Sequence, residues 1–191
     1  MKHILVEMMS QLTYLNQAEE EAIIESIPIR TYPNGTYLLK EGQVARDSYF
    51  LIQGCLREYR LIDGEEKTTA FYTEHQSVAN FESLTNRSAS KYNLVCMESS
   101  KLAVLNLEKE QALYRRFPRF ETFCRTGMEQ MLGEQHRQLT ELIVLKPEDR
   151  YLKLQKERPE LINRVPQYQI ASYLGIKPET LSRIRKRLAN H

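Results

Sequence analysis

The sequence predicts an α+β protein, with a jelly-roll-like antiparallel β-roll, one long helix and a C-terminal helix-turn-helix. Three observations carry this. Short β-branched and aromatic runs separated by turn residues fill the stretch from Ile29 to Leu105. A helical period then holds from Leu107 to about Leu145. Near the end, Gln167–Lys186 places apolar residues where two crossing helices need them.

Taken in order, Ile4, Leu5, Met8, Leu12 and Leu15 recur at helical spacing. Asn16 with Glu19 forms a capping signal for a second helix that buries Ala22, Ile23 and Ile27, and Pro28 stops it. The predicted strands are Ile29–Tyr32, Thr36–Leu39, Tyr49–Ile52, Leu56–Leu61, Thr68–Tyr72, Tyr92–Met97 and Leu102–Leu105. Pro33-Asn34-Gly35, Glu41-Gly42, Gln53-Gly54 and Asp63-Gly64-Glu65 turn the chain between several of them. So many short strands at this interval argue for a closed antiparallel sandwich or barrel, not for alternating βαβ units.

Asn106 caps a short helix, Leu107–Phe117. Pro118 opens a longer one that reaches about Leu145 and carries an intermittent apolar seam of Phe120, Phe123, Cys124, Met131, Leu139, Leu142 and Ile143. Gln135 and Gln138 interrupt the seam, and Gly127 and Gly133 each weaken the helix by up to about 1 kcal/mol relative to Ala. A helix this long packs either along a second copy of itself or across its own β domain. We expect the first, with Phe120, Met131, Leu139 and Leu142 as the dimer contacts. Lys146-Pro147 then makes a natural hinge.

In the tail, Ile170, Leu174, Ile176, Leu181 and Ile184 form the apolar contacts of a helical pair, and Ala171 lets the helices approach. Gly175 takes the turn and Pro178 opens the second helix. The remaining faces of that helix carry Glu179, Thr180, Ser182, Arg183, Arg185, Lys186 and Arg187, the pattern of a helix that reads DNA. An ordinary helical hairpin with a solvated basic face has the same spacing. By residue type, Glu179, Ser182 and Arg183 suit base edges, while Lys177, Thr180, Arg185, Lys186 and Arg187 suit phosphates.

Charge divides along the same line. From Lys146 onward 11 Lys+Arg face 5 Asp+Glu, whereas the first 145 residues hold 16 against 20. A basic tail on a mildly acidic body points to a polyanion partner for the tail alone. No apolar run is long enough for a membrane span, and the N-terminus is too short and too soon acidic for a signal peptide, so a cytoplasmic location is expected. Cys55, Cys96 and Cys124 are widely spaced and read as reduced thiols. His3, His75, His136 and His191 are scattered and read as surface residues, so no metal site, catalytic residue or cofactor is predicted.

In this order of elements the sequence resembles the Crp/Fnr family of bacterial transcription regulators over nearly its whole length. Gly35-Thr36-Tyr37-Leu38, Glu41-Gly42 and Tyr49-Phe50-Leu51-Ile52-Gln53-Gly54 match the family's glycine spacing, and Pro147-Glu148-Asp149-Arg150-Tyr151-Leu152 resembles the opening of its DNA-binding domain. Tyr173-Leu174-Gly175 with Glu179-Thr180-Leu181-Ser182-Arg183 is similar to the recognition motif of the Fnr branch. The resemblance implies a cyclic-nucleotide-binding-like effector domain at residues 1–117, a dimerisation helix and hinge at 118–146, and a DNA-binding domain at 147–191. It also implies a homodimer on a palindromic double-stranded operator, and it admits RNA polymerase as a further partner.

Two departures qualify it. The family's phosphate-binding cassette pairs Gly-Glu with Arg-Ser/Thr, yet here Asn80 stands at the glycine and the arginine's place falls at Ser90, followed by Lys91. Arg87-Ser88 keeps the residue types some three positions early. Glu82, Arg87, Ser88 and Lys91 remain as candidate effector-pocket residues for an unidentified small molecule, with cyclic AMP disfavoured. The chain also ends at Leu188-Ala189-Asn190-His191, without residues for a full two-stranded wing; native absence and truncation are both open. Two rival classes share parts of this pattern. One is a scaffold or sensor of the same β fold whose tail binds protein and not DNA. The other is a cupin-type enzyme, which would need clustered His and Glu ligands where the β region offers only His75.

Overall fold

The computed structural model describes residues 3–189, and within them the side chain of Leu12 is not described. The places expected for Leu12 on the first helix face and for His191 at the surface therefore lie outside the described residues. Two helices lead, α1 (Ile4–Leu12) and α2 (Gln17–Ser26). The predicted Asn16–Glu19 capping box is present in both directions, so each residue satisfies a backbone N–H that the helix start would leave bare. His3, expected at the surface, is half-buried and donates its Nε2–H to the Ile27 carbonyl at 2.8 Å.

The β-roll follows. Its strands are β1 (Ile29–Tyr32), β2 (Tyr37–Leu39), β3 (Asp47–Gln53), β4 (Leu56–Ile62), β5 (Glu65–Tyr72), β6 (Ser77–Val78), β7 (Asn93–Cys96) and β8 (Ser100–Asn106), with the short helix α3 (Phe81–Asn86) between β6 and β7. They form two four-stranded antiparallel sheets, ordered β1-β8-β3-β6 and β2-β7-β4-β5. Leu39, Tyr49, Leu51, Leu56, Val78, Leu94 and Leu102, drawn from both sheets, fill the space between them. Within the β-roll, periodicity did not reveal β6, two residues long, or α3, six residues long, both too short to show a period.

After β8, Asn106 caps α4 (Leu107–Arg116) by accepting from Glu108 and Lys109 N–H groups. The long helix α5 (Arg119–Val144) spans 26 residues, about 39 Å at 1.5 Å per residue. Its first turn is pinned. Arg119 donates to the Glu19 carboxylate at 2.5 Å and to the Tyr14 carbonyl at 2.6 Å, and Phe120 sinks into a core with Val6, Leu15, Ile23 and Leu113. Phe120 is 2% exposed. This corrects its assignment to the dimer seam, because the side chain is consumed by the helix's own attachment to α1 and α2.

The tail comprises α6 (Pro147–Glu157), α7 (Pro159–Arg164), α8 (Gln167–Tyr173) and α9 (Pro178–Ala189). The bend falls at the expected Lys146-Pro147, but it is braced and not bare. Lys153 of α6 pairs with Glu141 of α5 at 2.5 Å, Arg137 reaches Glu141 and Glu157, and Arg150 donates to the Leu142 carbonyl at 2.8 Å. Nor does the tail stand apart from the β domain. Tyr151, Leu161, Ile170, Leu174, Leu181 and Ile184 share one apolar cluster with Cys55 and Phe71 of the outer sheet face.

Candidate functional site

The tail builds its exposed surface on a fixed frame. Ala171 is fully buried in the core that α8 and α9 share, and Gly175 takes φ 68° between them, a conformation that favours glycine. The Gly175 and Ile176 N–H groups close the turn onto the Ser172 and Ala171 carbonyls at 3.0 Å each. Pro178 starts α9, and Leu181 and Ile184 anchor it in the core. The opposite face is left to solvent. Glu179, Ser182, Arg183, Arg185, Lys186 and Arg187 are all exposed, as is Lys177 before the helix, while Thr180 is half-buried.

Within that face the side chains are not equivalent. Arg187 is held by Glu148 of α6, with Nε at 3.1 Å from Oε1 and Nη2 on Oε2. Arg185 and Lys186 make no ion pair among the described residues and are free to meet an anion. The Glu179 and Arg183 side chains, four residues apart on α9, do not pair with each other. Arg183 Nε donates instead to the Glu179 backbone carbonyl at 3.3 Å, which leaves both charged ends outward.

The attachment of this module to the β domain was not foreseen. Arg164 of α7 lies on Glu74 and Glu98, and Arg158 donates to the Phe71 carbonyl at 3.1 Å. Ser172 Oγ accepts the Thr68 N–H at 2.9 Å and faces the Glu66 carbonyl at 3.2 Å. The sequence gives no sign of it. Cys55, Leu56 and Arg57 are consecutive and all buried, so β4 is covered on both faces. Arg57 disguised this, since an arginine reads as exposed. In the fold it is buried against Thr68 and Glu66 and stacks over the Tyr59 ring at 4.5 Å.

In the β domain the expected pocket residues do not converge. Lys91 and Glu82 pair with each other at 2.6 Å on the surface. Arg87 is the left-handed C-cap of α3, at φ 51°, and Ser88 bonds to the Glu82 carbonyl at 3.4 Å. None of the four lines the cavity that lies beside this loop. The reason lies in Asn80, whose oxygen caps α3 through the Ser83 N–H and whose amide donates to Ser90 Oγ, each at 3.0 Å. Ser83 Oγ accepts from the Ala45 N–H and donates to the Ser88 carbonyl, so the loop satisfies its own polar groups. That cavity, of about 490 Å³, is lined by Leu38, Leu39, Tyr49, Val78, Tyr92 and Leu94 among others.

The long helix leaves an apolar stripe uncovered. Met128, Leu132, Leu139 and Leu142 are exposed and, with Gln135, follow one another at alternating steps of four and three residues. Ile143, four residues after Leu139, flanks it, and Leu132 is 68% exposed. Met131, placed on the seam by sequence, is half-buried beside it. No helix among the described residues is long and apolar enough to cross a membrane.

Residues 29–117 match the cyclic nucleotide-binding domain family. Among solved structures, the chain is similar to the c-di-GMP-responsive global regulator CLP of Xanthomonas campestris, at 20% identity, a TM-score of 0.70 and 92% coverage of each chain. It is similar to FixK2 of Bradyrhizobium japonicum at 15% identity and a TM-score of 0.69, over 86% of this chain and 85% of that one. The catabolite activator protein of Thermus thermophilus matches at 23% identity and a TM-score of 0.54, over 92% of this chain and 84% of that one. No curated protein sequence matches significantly.

Proposed function

We propose that this chain, a regulator of the Crp/Fnr type with a cyclic nucleotide-binding domain at residues 29–117, is a homodimeric, sequence-specific DNA-binding transcription regulator and not an enzyme. The observation that carries the reading is α9. Its apolar side is locked into the core by Leu181 and Ile184, so its outer face is presented at a fixed angle. That face opens with Glu179, Ser182 and Arg183 and continues into Arg185 and Lys186, which make no ion pair among the described residues. Glu179 accepts from a cytosine amino group, Arg183 donates to guanine, and the later cations meet phosphates.

The stripe on α5 supports the dimer. Alternating four- and three-residue steps are the spacing of a two-helix seam, and an apolar face this long is costly to leave in water. Two-fold pairing of α5 would present two copies of α9 to a palindrome. The β domain serves as the effector module. Its self-satisfied Asn80–Ser83–Ser90 loop brings neither Arg87 nor Lys91 into the lining of the cavity, which supports an effector other than a cyclic nucleotide. Two buried free thiols, Cys55 and Cys96, suit a reducing, cytoplasmic setting.

Selection of bound duplexes from a random library, followed by anisotropy titrations across a salt series, tests this. Enrichment of an inverted repeat supports the reading. Equal affinity for selected and scrambled duplexes at every salt concentration overturns it.

A further inference from the structure

We propose that the cavity between the two sheets of the β-roll is a binding site for an uncharged, largely apolar small molecule. The inference rests on the β domain being an effector module and is independent of DNA binding. At about 490 Å³ the cavity falls within the range of about 300–1,000 Å³ usual for small-molecule pockets. Leu38 and Leu39 of β2, Val78 and Leu94 give it apolar walls.

The polar groups in the wall decide the chemistry. Asn80 has both ends of its carboxamide committed, to Ser83 and Ser90. Asp47 already accepts from Asn106 at 3.0 Å, and the single cation of the lining, Arg46, is exposed. An anion entering here meets no converging cations, and its lost hydration would go uncompensated. Gln43 accepts from the Lys40 N–H at 3.1 Å, and two phenols complete the polar lining. The Tyr92 hydroxyl makes no hydrogen bond among the described residues, and Tyr49 has only a long one, 3.4 Å to the Leu38 carbonyl. Burial pushes both phenols up, so they stay neutral and can donate to a ligand oxygen. Val44, 44% exposed at the mouth, supplies an apolar lip.

The test uses full-length protein and the neutral probe N-phenyl-1-naphthylamine. The chain has no tryptophan, so probe emission is read without interference. Saturable binding at one probe per chain is expected. It should weaken by about tenfold or more in Val44→Glu, at the exposed mouth, and in Ala45→Phe, which fills the space. Leu132→Glu, on the α5 stripe, should leave probe binding unchanged, and thermal melts of all variants report folding. No probe uptake, uptake undiminished in both Val44→Glu and Ala45→Phe, or displacement by micromolar cyclic AMP would overturn the proposal. DNA binding by the same preparations is read separately. A protein that takes up the probe and ignores DNA refutes only the DNA reading, whereas one that binds DNA without taking up the probe refutes only this one.

Discussion

The Arg164 guanidinium grips the Glu74 carboxylate with two 2.9 Å hydrogen bonds, joining α7 to the loop after β5 across 90 residues of sequence. The same carboxylate accepts the Gly54 N–H at 2.8 Å, and the same guanidinium reaches Glu98. Both side chains are largely shielded from water, and a bidentate charged pair in that setting is stronger than an exposed one. Glu74→Gln is expected to lower unfolding free energy by about 1–3 kcal/mol, measured by the urea midpoint.

The same pair sets an acid limit. Hydrogen bonding from Arg164 holds Glu74 down at about 2, against an ordinary 4.5. As pH falls below about 5 the unfolded chain takes up this proton first, so the stabilisation, complete above that range, drains away toward pH 2. Urea midpoints of the wild type should therefore fall more steeply between pH 5 and pH 3 than those of Glu74→Gln. Parallel slopes would show that Glu74 is not the group responsible.

Gly54 is the other partner in this junction, and it has no room for a side chain. Its φ is 119°, and a Cβ there would lie 2.4 Å from Ser100 Oγ and 2.7 Å from Ser100 Cα. Ser100 is itself fully buried in β8, so it cannot retreat. Gly54→Ala combines a strained conformation, about 1–3 kcal/mol, with a backbone clash. Its melting temperature is expected to drop further than that of Gly175→Ala, where φ is also positive but the space is open.

The fold was legible where local chemistry and tertiary packing agree. Asn16 and Glu19 formed their capping box, strand β1 fell at Ile29–Tyr32 as expected, and Asn106 and Pro118 marked the helix starts they signalled. It was illegible where distant segments meet. Phe120 has the spacing of a seam residue, and only its burial by α1 and α2 shows that the position is taken. Cys55 and Phe71 give no sign in the sequence that α6–α9 cover them. In the candidate effector loop, Arg87 and Lys91 attracted attention by charge, yet the uncharged Asn80, Ser83 and Ser90 shape it.

Phe120 and Leu139 should therefore respond in opposite ways. Phe120→Ala removes a buried ring and is expected to cost about 3–5 kcal/mol of stability. Leu139→Glu, at a position 58% exposed in the single chain, should leave each chain folded but shift sedimentation from dimer to monomer. A wild type that sediments as a monomer at micromolar concentration would remove the basis for the seam.

The last prediction concerns how α9 meets DNA. Arg183 keeps its charged end outward because only its Nε is engaged, by the Glu179 carbonyl. If it donates to guanine, Arg183→Ala should cost about 1–3 kcal/mol on the selected site and flatten preference at one base pair. Lys186 makes no ion pair among the described residues, so Lys186→Ala should weaken all duplexes alike and reduce the salt slope by about one unit. Arg187 is intermediate, because it must leave Glu148 to reach a phosphate. Arg187→Ala should change the slope less than Lys186→Ala does, and Glu148→Gln should strengthen binding by freeing the arginine. Titrations of all four variants on selected and scrambled duplexes at several salt concentrations separate these effects. Should Arg183→Ala and Lys186→Ala weaken both duplexes equally, α9 would be a basic patch and not a reader of sequence.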